Sequence, residues 1–338
     1  MYQYILIVLC FTITLISCNG KDGKRGASEV NLVEVDSNSY TNSLFVYPVD
    51  IEKDKEGNLY ISDQMGSQIV KLGRNQSVQI IGSKGRGPGQ YDLQSDISID
   101  GDKLIVNDQN NLRLQYFNFA GEYIRSFLYD EYISDFIAYN KYLYSYIARP
   151  GLTTKTNLNK KKLIHVFDEF GKKVNEFGEH LTILDNLPLN ASDCLIEVYD
   201  NKIYVLFKFF PIMRVYSLEG KLLDEYNLQK EFNYQEMTPQ NYDPATYKDP
   251  AIMATRYLFR AFDVTQKGIY VGLFSEELKI DLFNFAGHRV RRYTYDDYGD
   301  NFYLHDFIVT NEEDDSALFY LLVTDGDSKV ELLKTIED

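Results

Sequence analysis

The sequence has no tryptophan, only four histidines and three cysteines, and fewer basic than acidic residues. Its 35 lysines and arginines against 50 aspartates and glutamates give a formal net charge of −15. This excess of acid argues against nucleic-acid binding, which needs a basic face, and against docking of the folded body on anionic lipid. Cys10 and Cys18 lie near the N-terminus, which leaves Cys194 alone in the body. One cysteine forms neither a disulfide framework nor a cysteine zinc site.

Aromatic residues, in contrast, are abundant. The 338 residues include 28 tyrosines and 21 phenylalanines, and 44% of the chain is hydrophobic. This content supplies a core and excludes wholesale disorder. Because tyrosine and phenylalanine at alternate strand positions pack between sheets, most of them are expected to be core residues.

The N-terminus has the pattern of an export signal. The run from Ile5 to Ile16 is apolar except for two threonines, which is too short to span a bilayer but suits a signal peptide. It ends in Ser17-Cys18, which resembles the lipobox of bacterial lipoproteins, although no Lys or Arg precedes the apolar run. We therefore favour lipidation of Cys18 over a plain secretory signal. The predicted segments are a signal peptide over 1–17, a flexible tether over 18–28 and a folded body over 29–338.

The body is built from repeats. Tight turns ending in glycine recur at Gly121, Gly171, Gly220 and Gly287, and an aspartate precedes each of six short apolar strands. The aspartates, 39 to 70 residues apart, are Asp50, Asp96, Asp135, Asp193, Asp263 and Asp306. Six units of about four short strands predict an all-β fold, a six-bladed β-propeller of four-stranded antiparallel blades.

The second repeat carries a more specific signature. Residues 82–127 combine a glycine-rich start at 82–89, a strand ending in Asp108, and Arg113-Leu114-Gln115-Tyr116-Phe117. This segment resembles an NHL repeat, and with the leader the whole chain resembles the six-bladed β-propeller lipoproteins of Gram-negative bacteria. The resemblance implies a fold and a place in the cell envelope, with the outer membrane favoured, more than it implies an activity. It also implies that 82–89 connects blades, since the segment lacks the Gly-Lys-Ser/Thr ending of a phosphate loop.

A closed propeller needs its first and last blades to be joined. The last unit has three strand candidates, Phe307–Thr310, Ala317–Thr324 and Lys329–Ile336, and lacks a fourth. The alternating run from Val30 to Val35 is otherwise unassigned. We predict that it supplies the missing outer strand, which also hides a sheet edge.

Ligands of propellers usually bind on the face where blades are connected, over the central channel. Two insertions map to that face, Arg149–Lys162 and Leu228–Arg256, and a short helix over 251–258 is predicted to begin within the second. Each insertion is either a functional wall or a tolerated surface loop. The candidates for ligand contact on this face are Lys84, Arg86, Tyr91, Tyr132, Arg149, Tyr242, Tyr247, Arg256, Arg260 and His305.

The six aspartates allow two interpretations. They could ring the channel mouth and hold a cation such as Ca²⁺ through oxygen ligands. We favour hydrogen bonding to the backbone of their own or a neighbouring blade, because six unpaired carboxylates around one channel repel each other. His305 beside Asp306 could act as a general base, but the sequence shows no nucleophile to accompany it.

These observations favour a lipid-anchored, non-enzymatic binding propeller without a cofactor, whose ligand is a protein, peptide or glycan. The alternative is an enzyme similar to the metal-dependent lactonases or lyases built on propellers, in which a channel-mouth Ca²⁺ would polarise a carbonyl. The sequence names no catalytic residue, and the expected partners are the membrane, through the lipid, and the ligand.

Overall fold

A computed structural model describes residues 27–34, 44–129, 132–147, 162–181, 192–232, 257–275, 277–295, 303–311, 316–324 and 330–337. In these ranges the chain is all-β and contains no α-helix, and short 3-10 helices lie at Gln109–Asn111 and Leu228–Lys230. No helix among the described residues is long and apolar enough to cross a membrane. Of the predicted segment 251–258, only Tyr257 and Leu258 are described, and neither is helical.

The strands form successive four-stranded antiparallel units, the blades of a six-bladed propeller. After β1 (Ser28–Glu34), blade 1 comprises β2 (Pro48–Lys53), β3 (Leu59–Asp63), β4 (Gln68–Leu72) and β5 (Val78–Ile81). A parallel ribbon of β6 (Ser83–Lys84) and β7 (Gln90–Tyr91) leads to blade 2, with β8 (Gln94–Asp100), β9 (Lys103–Asp108), β10 (Arg113–Asn118) and β11 (Tyr123–Leu128). Blade 3 comprises β12 (Ile133–Tyr139), β13 (Tyr142–Ile147), β14 (Lys162–Asp168) and β15 (Lys173–Glu179).

The remaining blades follow the same pattern. Blade 4 comprises β16 (Cys194–Tyr199), β17 (Lys202–Phe207), β18 (Ile212–Ser217) and β19 (Leu222–Asn227). Blade 5 comprises β20 (Phe259–Thr265), β21 (Gly268–Leu273), β22 (Leu278–Phe283) and β23 (Arg289–Tyr295). Blade 6 comprises β24 (Tyr303–Asn311), β25 (Ala317–Thr324) and β26 (Val330–Glu337). The first strand of each blade is the innermost, and six such strands surround a central channel.

Each predicted glycine turn joins the third and fourth strands of a blade. Gly121, Gly171, Gly220 and Gly287 have φ angles between +78° and +89°, a backbone conformation that glycine adopts without strain. At Gly287, the backbone N–H donates to the carbonyl of Asn284 and closes the turn. The glycine spacing in the sequence therefore marks the hairpins on one face of the propeller.

Strand β1 closes the ring, as predicted, and also does something further. Its second half pairs antiparallel with β26, Leu32 opposite Glu337, and completes blade 6. Its first half pairs parallel with β23, Ser28 opposite Arg291, so blades 5 and 6 share one eight-stranded sheet. The sequence did not predict this second pairing, which gives hydrogen-bond partners to the part of β1 that extends beyond β26.

The glycine-rich connector is held by a buried polar network. The carboxylate of Asp108 is fully buried and accepts from Nε of Arg113 at 2.7 Å and Nε2 of Gln115 at 3.1 Å. Arg113 also donates from Nη2 to the carbonyl oxygens of Gly87 and Gln90, at 2.8 and 2.9 Å. The side chains that gave the second repeat its signature thus fix the connector between blades 1 and 2.

Candidate functional site

The innermost strands enclose a channel with a cavity of about 370 Å³. The inner strands begin, and the second strands end, at the same end of this channel. Four of the residues that line it lie at that end, which we call the mouth: Lys208, Tyr257, Arg260 and His305. The hairpins that join first to second and third to fourth strands lie at the opposite end.

β-bulges place two of these side chains. The register between first and second strands shifts between Phe259 and Ala261 in blade 5, and between Leu304 and Asp306 in blade 6. The bulged residues are Arg260 and His305, which occupy equivalent positions in their blades and both line the cavity. Because a bulge turns its residue out of the regular alternation, it can aim a side chain at a site.

His305 is buried at 6% exposure, yet only one of its ring nitrogens has a partner. Nε2 lies 2.5 Å from the hydroxyl oxygen of Thr324, whereas Nδ1 has no hydrogen-bond partner among the described residues. The ring also meets Tyr47 edge-on at 5.2 Å between centroids. Burial, assisted by the positive charge of Arg260, lowers the pKa of His305 to about 4. The imidazole is therefore neutral at pH 7.

Two cations also line the mouth, and neither has a counter-ion among the described residues. Arg260 and Lys208 are half-buried, and neither side chain forms a hydrogen bond or an ion pair with any described residue. The Lys208 ammonium lies 6.0 Å from the ring centroid of Tyr257, which stacks on Phe209 at 4.6 Å. Sequence reasoning named Arg260 but missed Lys208. The sequence did contain a signal for Lys208. It directly follows the apolar second strand of blade 4, β17, whereas the second strands of blades 1 and 2, β3 and β9, end in aspartate.

The carboxyl groups below the mouth form two levels rather than one ring. Strand register places Asp50, Asp96, Asp135 and Asp306 at the upper level. Glu52, Glu197 and Asp263 lie one side-chain step further along their strands, opposite Tyr60, Tyr204 and Tyr270. Asp193 precedes β16, does not line the cavity, and accepts from the Tyr146 hydroxyl at 2.8 Å. The six aspartates are therefore not equivalent, and the alternative in which all six ring the mouth does not match this arrangement, because spacing alone does not reveal the bulges.

Four of these carboxylates connect neighbouring blades, always toward the next blade around the ring. Each accepts a hydrogen bond from a backbone N–H of that blade's inner strand. The bonds are Ile97 to Asp50 at 2.5 Å, Ile196 to Asp135 at 3.2 Å, Val309 to Asp263 at 2.7 Å and Ile51 to Asp306 at 3.1 Å. Asp96 accepts instead from the Ser95 hydroxyl at 2.9 Å and from Asn107. Aspartates thus act as clamps between blades.

Asp50 and Asp306 also bond to each other across the junction of blades 1 and 6. Burial raises the pKa of Asp50 to about 6, the hydrogen bond from Asp306 opposing that rise. Burial and the charge of Asp50 raise the pKa of Asp306 well above its usual range. The pair therefore holds a proton more firmly than two isolated aspartates would.

The pKa values of the other channel carboxyls are raised as well. Burial raises the pKa of Asp263 to about 6 and the pKa of Glu52 and Glu197 well above their usual range. Burial also raises the pKa of Asp96 and Asp135, against the opposing attraction of the Lys208 ammonium. In the part of the chain that the structure describes, no group of three or more His, Cys, Asp or Glu side chains is arranged to hold a metal ion.

The other predicted contact residues lie elsewhere. Tyr91 is fully buried against Phe117, at 5.8 Å between ring centroids, so its proposed role in ligand stacking is corrected to core packing. Lys84 and Arg86 are exposed on the connector between blades 1 and 2 and do not line the cavity. Tyr132 is half-buried near Asp96 and also lies outside the lining. Cys18, Arg149, Tyr242, Tyr247 and Arg256 lie outside the described residues, as does most of the insertion 228–256.

Comparisons with known proteins agree with this architecture. Residues 41–317 match the profile of the family DUF5128, described as a 6-bladed beta-propeller, whereas no curated protein matches the sequence. A member of the DUF4221 family from Bacteroides vulgatus is similar in structure, with 11% identity, TM-score 0.56, and coverage of 92% of this chain and 97% of that one. A Bacteroides fragilis protein named as exported is 14% identical, with a TM-score of 0.55 and coverage of 92% of this chain and 100% of that one. Catalytically inactive virginiamycin B lyase from Staphylococcus aureus, with quinupristin, is 11% identical, with a TM-score of 0.50 and coverage of 89% of this chain and 87% of that one. At these identities the similarity concerns the fold alone.

Proposed function

Because the chain belongs to the DUF5128 family of six-bladed β-propellers, we propose that it is a non-enzymatic binding protein of the bacterial cell envelope. Its ligand, a protein, peptide or glycan, docks at the mouth of the channel. The observation that carries this proposal is the contrast between two sets of polar groups. The side chains of Arg260 and Lys208 form no hydrogen bond or ion pair with a described residue, and Nδ1 of His305 has no hydrogen-bond partner among them, whereas channel carboxylates hold the blades together.

Unpartnered polar groups at a partly buried site favour a ligand. Burying a polar group without a hydrogen bond costs about 1–3 kcal/mol. A rigid ring of blades holds Arg260 and His305 at bulges. Their side chains therefore cannot move to find other hydrogen-bond partners, and the free-energy cost of leaving them unpaired remains. A ligand that supplies the missing hydrogen bonds recovers this free energy on binding.

The alternative function is that of a metal-dependent lactonase or lyase. One structural neighbour is a lyase, but a propeller supports many functions, and function must be argued from the site. The seven carboxyl groups of the channel are the feature that favours this alternative. Against it, four carboxylates already accept backbone N–H groups, and burial, with repulsion from Asp50 as a second cause, raises the pKa of Asp306 well above its usual range.

Metal content separates the two functions. The full chain is purified without chelator, its divalent metal is measured, and its melting temperature is compared before and after EDTA. The binding function predicts no stoichiometric metal and an unchanged melting temperature. A stoichiometric divalent ion together with a large EDTA-induced drop would contradict it and would direct a screen of lactone and uronate substrates.

The proposed address in the envelope rests on the leader and on the resemblance of 82–127 to an NHL repeat of envelope lipoproteins. Strand β1 adds an orientation, because Ser28 pairs with Arg291 close to the Asn284–Gly287 turn, at the end opposite the mouth. A lipid on Cys18 would then leave the mouth facing away from the membrane. Replacement Cys18→Ser should move the protein from the membrane to the soluble fraction, and unchanged membrane association would exclude the anchor.

A further inference from the structure

We propose that the mouth recognises a small zwitterion, a short peptide with free amino and carboxyl termini. The inference rests on the proposed binding function and names the chemistry of its ligand. The carboxylate would lie against Arg260 and Lys208, and the ammonium against the upper-level carboxyls of blades 1 to 3. Opposite charges on opposite sides of one mouth carry this assignment.

The cationic side comes from blades 4 and 5. Lys208 follows the end of β17, and Arg260 is the bulged residue of β20. A guanidinium and an ammonium that form no ion pair within the described part of the chain offer a site for a carboxylate, which would accept charge-assisted hydrogen bonds from both. Nδ1 of His305 in the neighbouring blade can add a third donor when the Thr324 hydroxyl donates to Nε2.

The acidic side comes from the other half of the ring. Asp50, Asp96 and Asp135 line the cavity from blades 1, 2 and 3 and contribute acceptor oxygens. Lys208 attracts Asp96 and Asp135 but forms no ion pair with either. An ammonium group placed here would relieve the repulsion between these carboxyls and satisfy their remaining lone pairs.

The volume of the cavity and the charges around it restrict the class of ligand further. A cavity of about 370 Å³ is at the small end of ligand sites, which suits a dipeptide or an amino acid. A polyanion would meet seven carboxyls directly below the mouth, whereas a zwitterion brings one charge for each side. An acidic glycan supplies a carboxylate but leaves the acidic side without a partner, so a peptide is favoured.

Capped peptides test the two charges separately. Titration calorimetry on the full chain compares alanylalanine with its C-terminal amide, its N-acetyl form and glucuronate. Variants Arg260→Gln and Asp96→Asn each remove one charge at the mouth. Arg74→Gln, on an exposed hairpin at the opposite end, and Asp224→Asn, on the exposed outer strand of blade 4, are the matched controls.

The expected result is that alanylalanine binds about tenfold or more tightly than either capped form. Arg260→Gln should abolish the discrimination against the amide, and Asp96→Asn the discrimination against the N-acetyl form, while both controls behave as the parent. Equal binding of capped and free peptides, no alanylalanine binding up to about 10 mM, or binding of glucuronate alone would overturn the inference. These outcomes leave the proposed binding function to stand or fall on the metal measurement.

Discussion

At the scale of single residues, the unusual feature is the concentration of carboxyl groups on the inner strands. Four of these carboxylates each accept a hydrogen bond from a backbone N–H of the next blade and so join neighbouring sheets: Asp50, Asp135, Asp263 and Asp306. The same burial that makes these bonds strong makes the negative charge costly. The channel therefore retains protons that isolated aspartates would release near pH 4.

This proton uptake predicts how stability depends on pH. The pKa of Asp50 and Asp263 is about 6 in the folded protein and about 3.9 in the unfolded chain. Between these values the folded state binds more protons at these two groups, so their contribution to the free energy of unfolding increases as the pH falls from 7 toward 4.5, whereas His305, whose pKa is lowered to about 4, contributes in the opposite direction. Each of the two aspartates contributes on the order of 2 kcal/mol. Chemical denaturation at several pH values measures the trend.

Asp263→Asn isolates one of these groups. The amide oxygen can still accept from Val309, but the side chain no longer titrates. The variant should show a shallower gain in stability on acidification than the parent, while Asp224→Asn on the exposed outer strand should match the parent. A variant profile parallel to that of the parent would show that Asp263 does not contribute.

At the scale of elements, the connector between blades 1 and 2 depends on one arginine. Arg113 joins the buried carboxylate of Asp108 to two carbonyl oxygens of the connector, Gly87 and Gln90. Blade 1 has a related arrangement, in which Asp63 accepts the N–H groups of Val46 and Tyr47. An aspartate at the end of a second strand thus captures the chain segment that precedes its blade.

Arg113→Lys tests this element. Lysine keeps the charge but cannot reach the carboxylate and both carbonyls with a planar fork. We expect a loss of about 1–3 kcal/mol in the free energy of unfolding, because buried acceptors lose their donors. Urea denaturation gives the value, with Arg86→Lys on the exposed part of the same connector as control. Equal stability of the two variants would contradict the role of Arg113.

At the scale of the whole molecule, β1 makes the propeller a closed object. It completes blade 6 and extends onto blade 5, so the N-terminal segment holds together the last two blades of the chain. Leu32 is fully buried in the cluster between them, with Tyr293 and Phe319 among its members. Without β1, β26 would present an unpaired edge.

Removal of this closure should therefore unfold the protein. Leu32→Ala leaves a cavity in a packed core and should cost about 2–5 kcal/mol of unfolding free energy, whereas Glu29→Ala on the exposed side should cost less than about 0.5 kcal/mol. Deletion of residues 29–36 should abolish cooperative unfolding, as followed by circular dichroism. A deletion variant that melts like the parent would exclude closure by β1.

The fold could be predicted from the sequence because the patterns that indicate it are local. Glycine turns, alternating strands and a recurring aspartate predicted the six-bladed propeller, and the unassigned run near Val30 predicted its closure. The candidate site was less accessible. Arg260 and His305 were named, but Tyr91 was misplaced because an aromatic residue in a connector looks the same whether it packs inward or outward.

By itself, the sequence determined the architecture, because hydrophobic periodicity and turn residues act between chain neighbours. Only the tertiary structure decided which repeated aspartates share a level, since a single bulge shifts the register of every side chain after it. The same is true of the mouth. Lys208, Arg260 and His305 come from three blades, and only closure of the ring brings them to the lining of one cavity.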